Sequence, residues 1–326
     1  MPELPEVEAA RRMLEKHCVG RTVIKVESRE QGGGPRNGKF DGTVIAERVT
    51  PQRLQNSLHG RKVKAARRRG KQLWLEFSGD GPSLLMHLGM TGALVVEGAE
   101  KPTYKRFAVD EAWPPRFTKL LLEFSGRKCV AFVDPRRFGR ILLRSDVLGT
   151  KPISTLAPDP VQELPSLEVF VEKMAASSMP VKGLLLNQEA LVSGVGNWVA
   201  DEVLFHAAIH PSTQASHLSH SQVKSLRQAV LKVCQRACAV GADSTRFPKN
   251  WLFHYRWDKP RSNEGGEPKA PKKVPSVVMA DGRQVIFQTV AGRTTAIVPS
   301  AQGGKPLKRP RAAETPRPRK RPAVKR

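Results

Sequence analysis

The feature that most limits the fold is a change of hydrophobic period along the chain. Between Thr22 and about Arg144, short runs of strand character follow one another: TVIKVE, RKVKAA, QLWLEF, SLLMHLG, GALVVE, KLLLEF, KCVAFVD and RILLR. Gly, Pro and Asp separate them, and a succession of such runs buries one face by closing as a sandwich or barrel. Ahead of them a helix is expected over Glu6 to Val19, with Val7, Ala10, Met13 and Leu14 on one side and Gly20 as its stop. Within them, Glu30 to Gly42 (EQGGGPRNGKFDG) reads as a flexible loop. From about Leu148 the spacing becomes helical, in segments 165–177, 184–208 and 218–240. Past Phe247 the β character returns in VPSVVMA and RQVIFQTV, which flank the hairpin turn Asp281-Gly282.

Composition narrows the partner. The 326 residues carry a net charge of +25, which favours a polyanion. The rival, an anionic membrane surface, would need a basic amphipathic helix with an apolar face, and none is found. No apolar run approaches the roughly 18 residues of a membrane span. From Lys305 to Arg326 the chain holds ten Lys and Arg against one Glu, so +16 of the charge belongs to the rest. KRPR and PRKRP resemble a two-part nuclear import signal, although such runs also serve as plain nucleic-acid tails. Cys18, Cys129, Cys234 and Cys238 are scattered and read as reduced packing thiols, with neither disulfide framework nor four-thiolate metal site. The start, MPELPEVEAARR, places acids where a secretory signal has bases.

Pro2 is the first candidate for chemistry. Once an initiator Met is removed, Pro presents a secondary amine, and an α-amine titrates near 8, well below a lysine side chain. A neutral amine attacks electrophilic carbon and forms an iminium. Glu3 beside it is placed to supply a proton. A second-position Pro is common, so this pair acquires weight only from the rest of the chain.

The opening PELPEVE is similar to the N-terminus of formamidopyrimidine-DNA glycosylases, and further blocks recur in order: RRRGKQLWLEF, MHLGMTG, DPRRFGR, SGVGNWVADEVLF with IHP just after, and AGRTTA. The related Nei branch typically has Gly where this chain has Leu4. The blocks span Pro2 to about Val298. The resemblance implies an α+β fold: an N-terminal two-layer antiparallel β-sandwich flanked by helices (1–147), a helical domain with a helix–two-turn–helix motif (148–245), a β-hairpin finger (246–300) with a disordered insert near 259–273, and a disordered basic tail (301–326).

It also implies roles. Pro2 matches the nucleophile that attacks C1′ of the damaged nucleotide. Glu3 matches the acid that protonates the opening sugar, and Glu6 the second acid near the flipped nucleotide. Lys71 matches the lysine on the flanking phosphates. Extruding a base leaves a hole that side chains must fill, and Met90, Arg136 and Phe138 match the filling set. His87 matches a histidine on the DNA backbone, with a satisfied core histidine as the other reading. Asn197, opening a helix whose free N–H groups suit a phosphate, matches the motif's phosphate-gripping Asn. Asp201 and Glu202 are expected to solvate or orient that helix. Lys182 stands where a lysine near the lesion phosphates is often found, but one extra residue lies between it and Asn197, in NQEALVSG.

The finger departs from bacterial members, which hold zinc there with four cysteines, because residues 240–326 contain no Cys. FPKNWLFHYRW, DGRQVIF and AGRTTA instead resemble the zincless finger of plant and fungal members. Arg293 then matches the fingertip Arg on the phosphate 3′ to the lesion, and Trp251, Phe253, Ile286 and Phe287 are expected to pack the hairpin in place of a metal. Few residues separate Gly241 from Phe247, where bacterial members have a longer loop that caps 8-oxoguanine. This implies weak 8-oxoguanine excision, with formamidopyrimidines and hydantoins preferred. The implied activity is a DNA glycosylase and abasic-site lyase that needs no cofactor, acting as a monomer on double-stranded DNA with oxidised purines or abasic sites. The implied location is the nucleus, with organelles left open. The competing reading is a catalytically silent protein that binds damaged DNA or chromatin.

Overall fold

The structure is a computed structural model and describes residues 2–99, 108–258 and 277–303. The insert 259–273 and the basic run from Lys305 lie outside the described residues. Helix α1 (Leu4–Cys18) opens the chain, with Pro5 in its first turn, where a missing N–H costs little. Val7, Ala10 and Leu14 are buried along it, as their spacing predicts.

Each of the eight expected runs is a strand. One antiparallel sheet has the order β1 (Val23–Glu27), β6 (Thr118–Phe124), β7 (Lys128–Val133), β5 (Ala93–Val96). The other has the order β2 (Val63–Arg69), β3 (Gln72–Phe77), β4 (Ser83–His87), β8 (Arg140–Arg144). Leu73, Leu75, Leu84 and Met86 of one sheet and Leu94, Leu120, Leu122 and Phe132 of the other share a core, so the layers face each other as a sandwich. A short helix, α2 (Pro51–Leu58), interrupts the strands where none was expected. Its signal lay in Thr50-Pro51: the threonine hydroxyl accepts the Arg53 N–H at 3.1 Å, and Pro51 fits the first turn.

The loop 30–42 is not the flexible segment expected. Glu30 N–H donates to Lys39 C=O at 2.9 Å and Gly38 N–H to Glu30 C=O at 2.7 Å. Glu30 and Asp41 are both buried and pair with the equally buried Lys119 of β6, while Arg137 reaches Asp41 at 2.8 Å. Glycine content suggested freedom; the buried charges remove it.

The second half contains α3 (Leu167–Ala175), α4 (Val181–Leu186), α5 (Asn197–His206) and α6 (His220–Ala239). The helical segment expected over 184–208 is therefore broken by the loop 187–196. Leu4 is buried in this helical core, whereas Val7, Ala10 and Leu14 belong to the sandwich core, so α1 is shared by both halves. A buried cluster reinforces the joint: Arg68 of β2 pairs with Asp159 of the connecting segment and, at 2.9 Å, with Glu8 of α1.

The finger is a three-stranded sheet of β9 (Val277–Val278), β10 (Gln284–Val290) and β11 (Arg293–Ile297). Asp281-Gly282 turns β9 into β10 as expected, while Arg293 lies on a second hairpin, β10–β11. The packing expectation needs correction. Trp251 and Phe253 join Trp198 and Phe247 in the helical core. The sheet rests instead on Phe205, Leu252, Met279, Val285, Ala296 and Val298, with Phe287 at the edge and Ile286 outside the cluster. Residues 301 and 302, expected in the tail, belong to helix α7 (Pro299–Gln302), which buries Gln302, whose amide donates to Ile209 C=O at 3.0 Å. All four cysteines are unpaired thiols, and burial pushes Cys18 and Cys238 up to about 12, which suits packing rather than reactivity. Among the described residues, no helix is long and apolar enough to cross a membrane.

Candidate active site and nucleic-acid interface

The site forms where the start of α1 meets the start of α5. Pro2 and Glu3 are both buried there. The Glu3 carboxylate accepts the Trp198 N–H at 2.9 Å and the Val199 N–H at 3.0 Å, so it occupies the N-terminus of α5. An anion there gains both hydrogen bonds and the helix dipole. Gly196 makes the approach possible, because a Cβ at that position would stand 2.2 Å from Glu3 Cδ. The free N–H groups expected to meet a phosphate at Asn197 are thus already used by Glu3.

Glu6 lies one turn along α1. Its Oε2 accepts the Glu3 N–H at 2.9 Å, and its Oε1 accepts Trp198 Nε1–H at 3.1 Å. Burial, and then the negative charge of Glu3, push its carboxyl up to about 7. Lys71, on the turn between β2 and β3, donates to Val195 C=O at 2.9 Å. Burial lowers the Lys71 ammonium, while Glu3 and Glu6 act in the opposite direction. The same carbonyl accepts the Gln188 amide at 2.9 Å, and Gln188 Oε1 accepts Gly194 N–H at 2.9 Å. The loop with the extra residue therefore braces the start of α5. The Lys71 amine and two carboxylates, close to buried Pro2, can exchange protons around a single reacting atom.

The expected wedge residues also converge. Gly89 has φ +59°, and a Cβ there would lie 2.4 Å from the Phe138 carbonyl carbon, so the Met90 turn and the Phe138 loop touch backbone to backbone. Buried Asp134 organises the loop: Oδ1 accepts Thr91 Oγ1–H at 3.1 Å and Arg136 N–H at 3.2 Å, and Oδ2 accepts Gly139 N–H at 2.6 Å. Phe138 is 48 % exposed, and the Arg136 guanidinium sits 5.1 Å from the centre of its ring. His87 on β4 is half-buried, and its Nδ1 accepts Gly89 N–H at 3.2 Å. Burial, then Lys71 and Arg140, push its ring down to about 4, so it is neutral at physiological pH and keeps an Nε2–H to donate.

Asn197 Nδ2–H donates to Thr294 C=O at 2.9 Å, which joins α5 to the strand carrying exposed Arg293. Lys182 is a correction. Expected beside the lesion phosphates, it is fully buried, with Nζ 2.6 Å from Asp201 Oδ1 and 2.6 Å from Thr295 Oγ1. Of the two roles expected for Asp201 and Glu202, solvating α5 is excluded by their burial, and their hydrogen bonds fit the other, orienting it. Both are 0 % exposed; Glu202 accepts Leu252 N–H at 3.1 Å and Phe253 N–H at 2.7 Å. Sequence reading missed the buried charge clusters around Asp201, Arg68 and Lys119. The available signal was a charged residue inside an otherwise apolar run, as with Lys119 in TKLLLEF.

Fold and site together define a class: a β-sandwich joined to a helical half so that Glu3, at the start of α1, sits on the N-terminus of α5. Comparison with known proteins agrees. The model of the formamidopyrimidine-DNA glycosylase N-terminal domain matches residues 1–141, and that of the formamidopyrimidine-DNA glycosylase H2TH domain matches residues 156–249. A formamidopyrimidine-DNA glycosylase of Arabidopsis thaliana is 37 % identical over 304 residues, covering 93 % of this chain and 71 % of the relative. The Lactococcus lactis enzyme bound non-covalently to DNA containing an abasic site superposes with a TM-score of 0.69 at 27 % identity, covering 93 % of this chain and all of that one. The MutM (Fpg) protein of Thermus thermophilus gives 0.68 at 29 % identity, covering 94 % of this chain and all of that one. The chain belongs to the formamidopyrimidine-DNA glycosylase family.

Proposed function

We infer that the protein is a DNA glycosylase and abasic-site lyase of base excision repair, acting as a monomer on duplex DNA. The observation that carries this reading is the seating of Glu3 on the first N–H groups of α5, in a cradle open only to Gly196. Pro2 precedes Glu3 in the chain, which supports an amine beside that carboxylate, close to Lys71 and the start of α5. In the reaction, the Pro2 nitrogen bonds to C1′ and the glycosidic bond breaks, releasing the damaged base with a proton. The sugar ring opens to an iminium as Glu3 protonates its O4′. Loss of the C2′ proton expels the 3′ phosphate, a second elimination expels the 5′ phosphate, and water then frees Pro2. Lys71, His87, Asn197 and Arg293 hold the backbone, while Met90, Arg136 and Phe138 fill the vacated stack.

The connection from α6 to Phe247 consists of a short turn and the 3-10 segment Ser244–Arg246. So short a connection leaves little chain to close over an extruded base, which supports a preference for formamidopyrimidines and hydantoins over 8-oxoguanine. The relative in a plant supports work on nuclear or organellar DNA, and the basic run after Lys305 favours the nucleus. Borohydride trapping on a duplex with an abasic site tests the chemistry. A covalent adduct is expected with the native protein and none with a form whose N-terminus is extended by a tag. Equal trapping by both would refute Pro2 as the nucleophile and leave the silent-binder reading refuted as well.

A further inference from the structure

Lys182, Asp201 and Arg256 form a charge cluster that the proposed chemistry does not use. Asp201, on α5, is 0 % exposed; Lys182, on α4, is also 0 %; Arg256 is 8 %. Asp201 Oδ1 accepts Lys182 Nζ–H at 2.6 Å, and Oδ2 accepts Arg256 Nη2–H at 2.9 Å and the Ala296 N–H of β11 at 3.1 Å. Burying two cations on one carboxylate is stabilising only if every partner is held in good geometry. Such a site therefore admits few arrangements of its elements.

The cluster reaches the DNA-facing residues through β11. Lys182 Nζ–H also donates to Thr295 Oγ1 at 2.6 Å, and that hydroxyl donates to Arg293 C=O at 3.0 Å. Thr294 C=O, between them, accepts Asn197 Nδ2–H at 2.9 Å. Asp201 thus stands four residues from Asn197 on one helix and three hydrogen bonds, through Lys182 and Thr295, from the Arg293 backbone.

We propose that Asp201 is a positioning residue: by gathering Lys182, Arg256 and the Ala296 amide, it ties α5 to the β10–β11 hairpin and sets Arg293 in register with Asn197 for gripping one stretch of DNA backbone. This rests on Arg293 contacting a phosphate. The neighbouring Glu202 contributes to the same joint from the next residue but holds the Leu252 and Phe253 amides, which precede the finger rather than form its tip.

The test is a double-mutant cycle between positions 201 and 293, read as the affinity of the full-length protein for a duplex with a tetrahydrofuran abasic analogue. Arg293→Ala alone is expected to weaken binding about 10-fold, the size of one charge-assisted contact. In the Asp201→Asn background the same change is expected to cost less than about 2-fold, because the fingertip is already out of register. Equal losses in both backgrounds, with cooperative melting in each, would overturn the proposal. A role confined to stability leaves the two changes additive. If Asp201→Asn does not fold, Thr295→Val, which cuts only the link from Lys182 to the Arg293 carbonyl, takes its place in the cycle and is read the same way. If Arg293→Ala has no effect in the native background, the phosphate assignment of Arg293 fails and the proposal falls with it.

Discussion

Two groups of carboxylates meet at helix α5, Glu3 and Glu6 at its start and Asp201 on the helix itself, and they differ in how their charge is balanced. Asp201 meets two cations and an amide. Glu3 and Glu6 meet N–H groups of the backbone and an indole, and among the described residues neither makes an ion pair. The contrast separates scaffold from chemistry. A fully paired carboxylate has its geometry fixed, whereas a carboxylate beside a second one resists ionising. Glu6, held up to about 7, can exchange a proton near physiological pH. On the proposed chemistry, Asp201 holds the scaffold while Glu3 and Glu6 carry protons.

The largest effect that would sharpen this contrast is on the rate. Glu3→Gln keeps an acceptor for one α5 N–H but cannot carry a proton to O4′, and strand cleavage at a damaged base in single-turnover assays should slow by about 10²- to 10⁴-fold. A near-native rate would place the acid elsewhere. Next comes stability. Asp201→Asn leaves Lys182 and Arg256 buried without a counter-charge, and should cost about 3–5 kcal/mol in denaturant melts. Adding Lys182→Met should return part of that loss, and no recovery would show that charge is not what the cluster balances.

A smaller effect concerns pH. Glu6 has a folded pKa raised from 4.5 to about 7, so the native state binds the proton more tightly than the unfolded chain does. Its contribution is fully present below 4.5 and is lost as pH rises through 7. Glu8 and Asp41, whose basic partners hold them at about 2, behave in the reverse sense at lower pH. The clean observable is therefore a difference: the stability of the native protein minus that of Glu6→Gln should decline between pH 4.5 and 7. A flat difference would contradict an uncompensated Glu6. The smallest effect expected is at the wedge. Phe138, 48 % exposed, should cost within about 0.5 kcal/mol of stability when changed to Ala, while slowing lesion capture in stopped-flow binding.

Much of this was legible from the sequence for specific reasons. Eight strands and α1 follow from local period, which burial enforces residue by residue, as at Val7, Ala10 and Leu14. Gly196 and Gly89 stood inside recognisable blocks, but what they make room for, the Glu3 carboxylate and the Phe138 backbone, depends on chain more than 45 residues away. Lys182 was misread because a lysine in a DNA-binding protein suggests a phosphate, and nothing local announces that Asp201 and Thr295 close over it. Loop 30–42 misled for the same reason, since its order comes from Lys119 on a distant strand. In each case the missing information was a long-range charge partner rather than a local preference.

The most direct measurement is to digest the borohydride-trapped complex and locate the modified residue by mass spectrometry. A sugar remnant on the N-terminal peptide, on Pro2 with Met1 absent, is the predicted result. A remnant on a lysine such as Lys71, or lesion cleavage by protein that still carries Met1, would contradict the account.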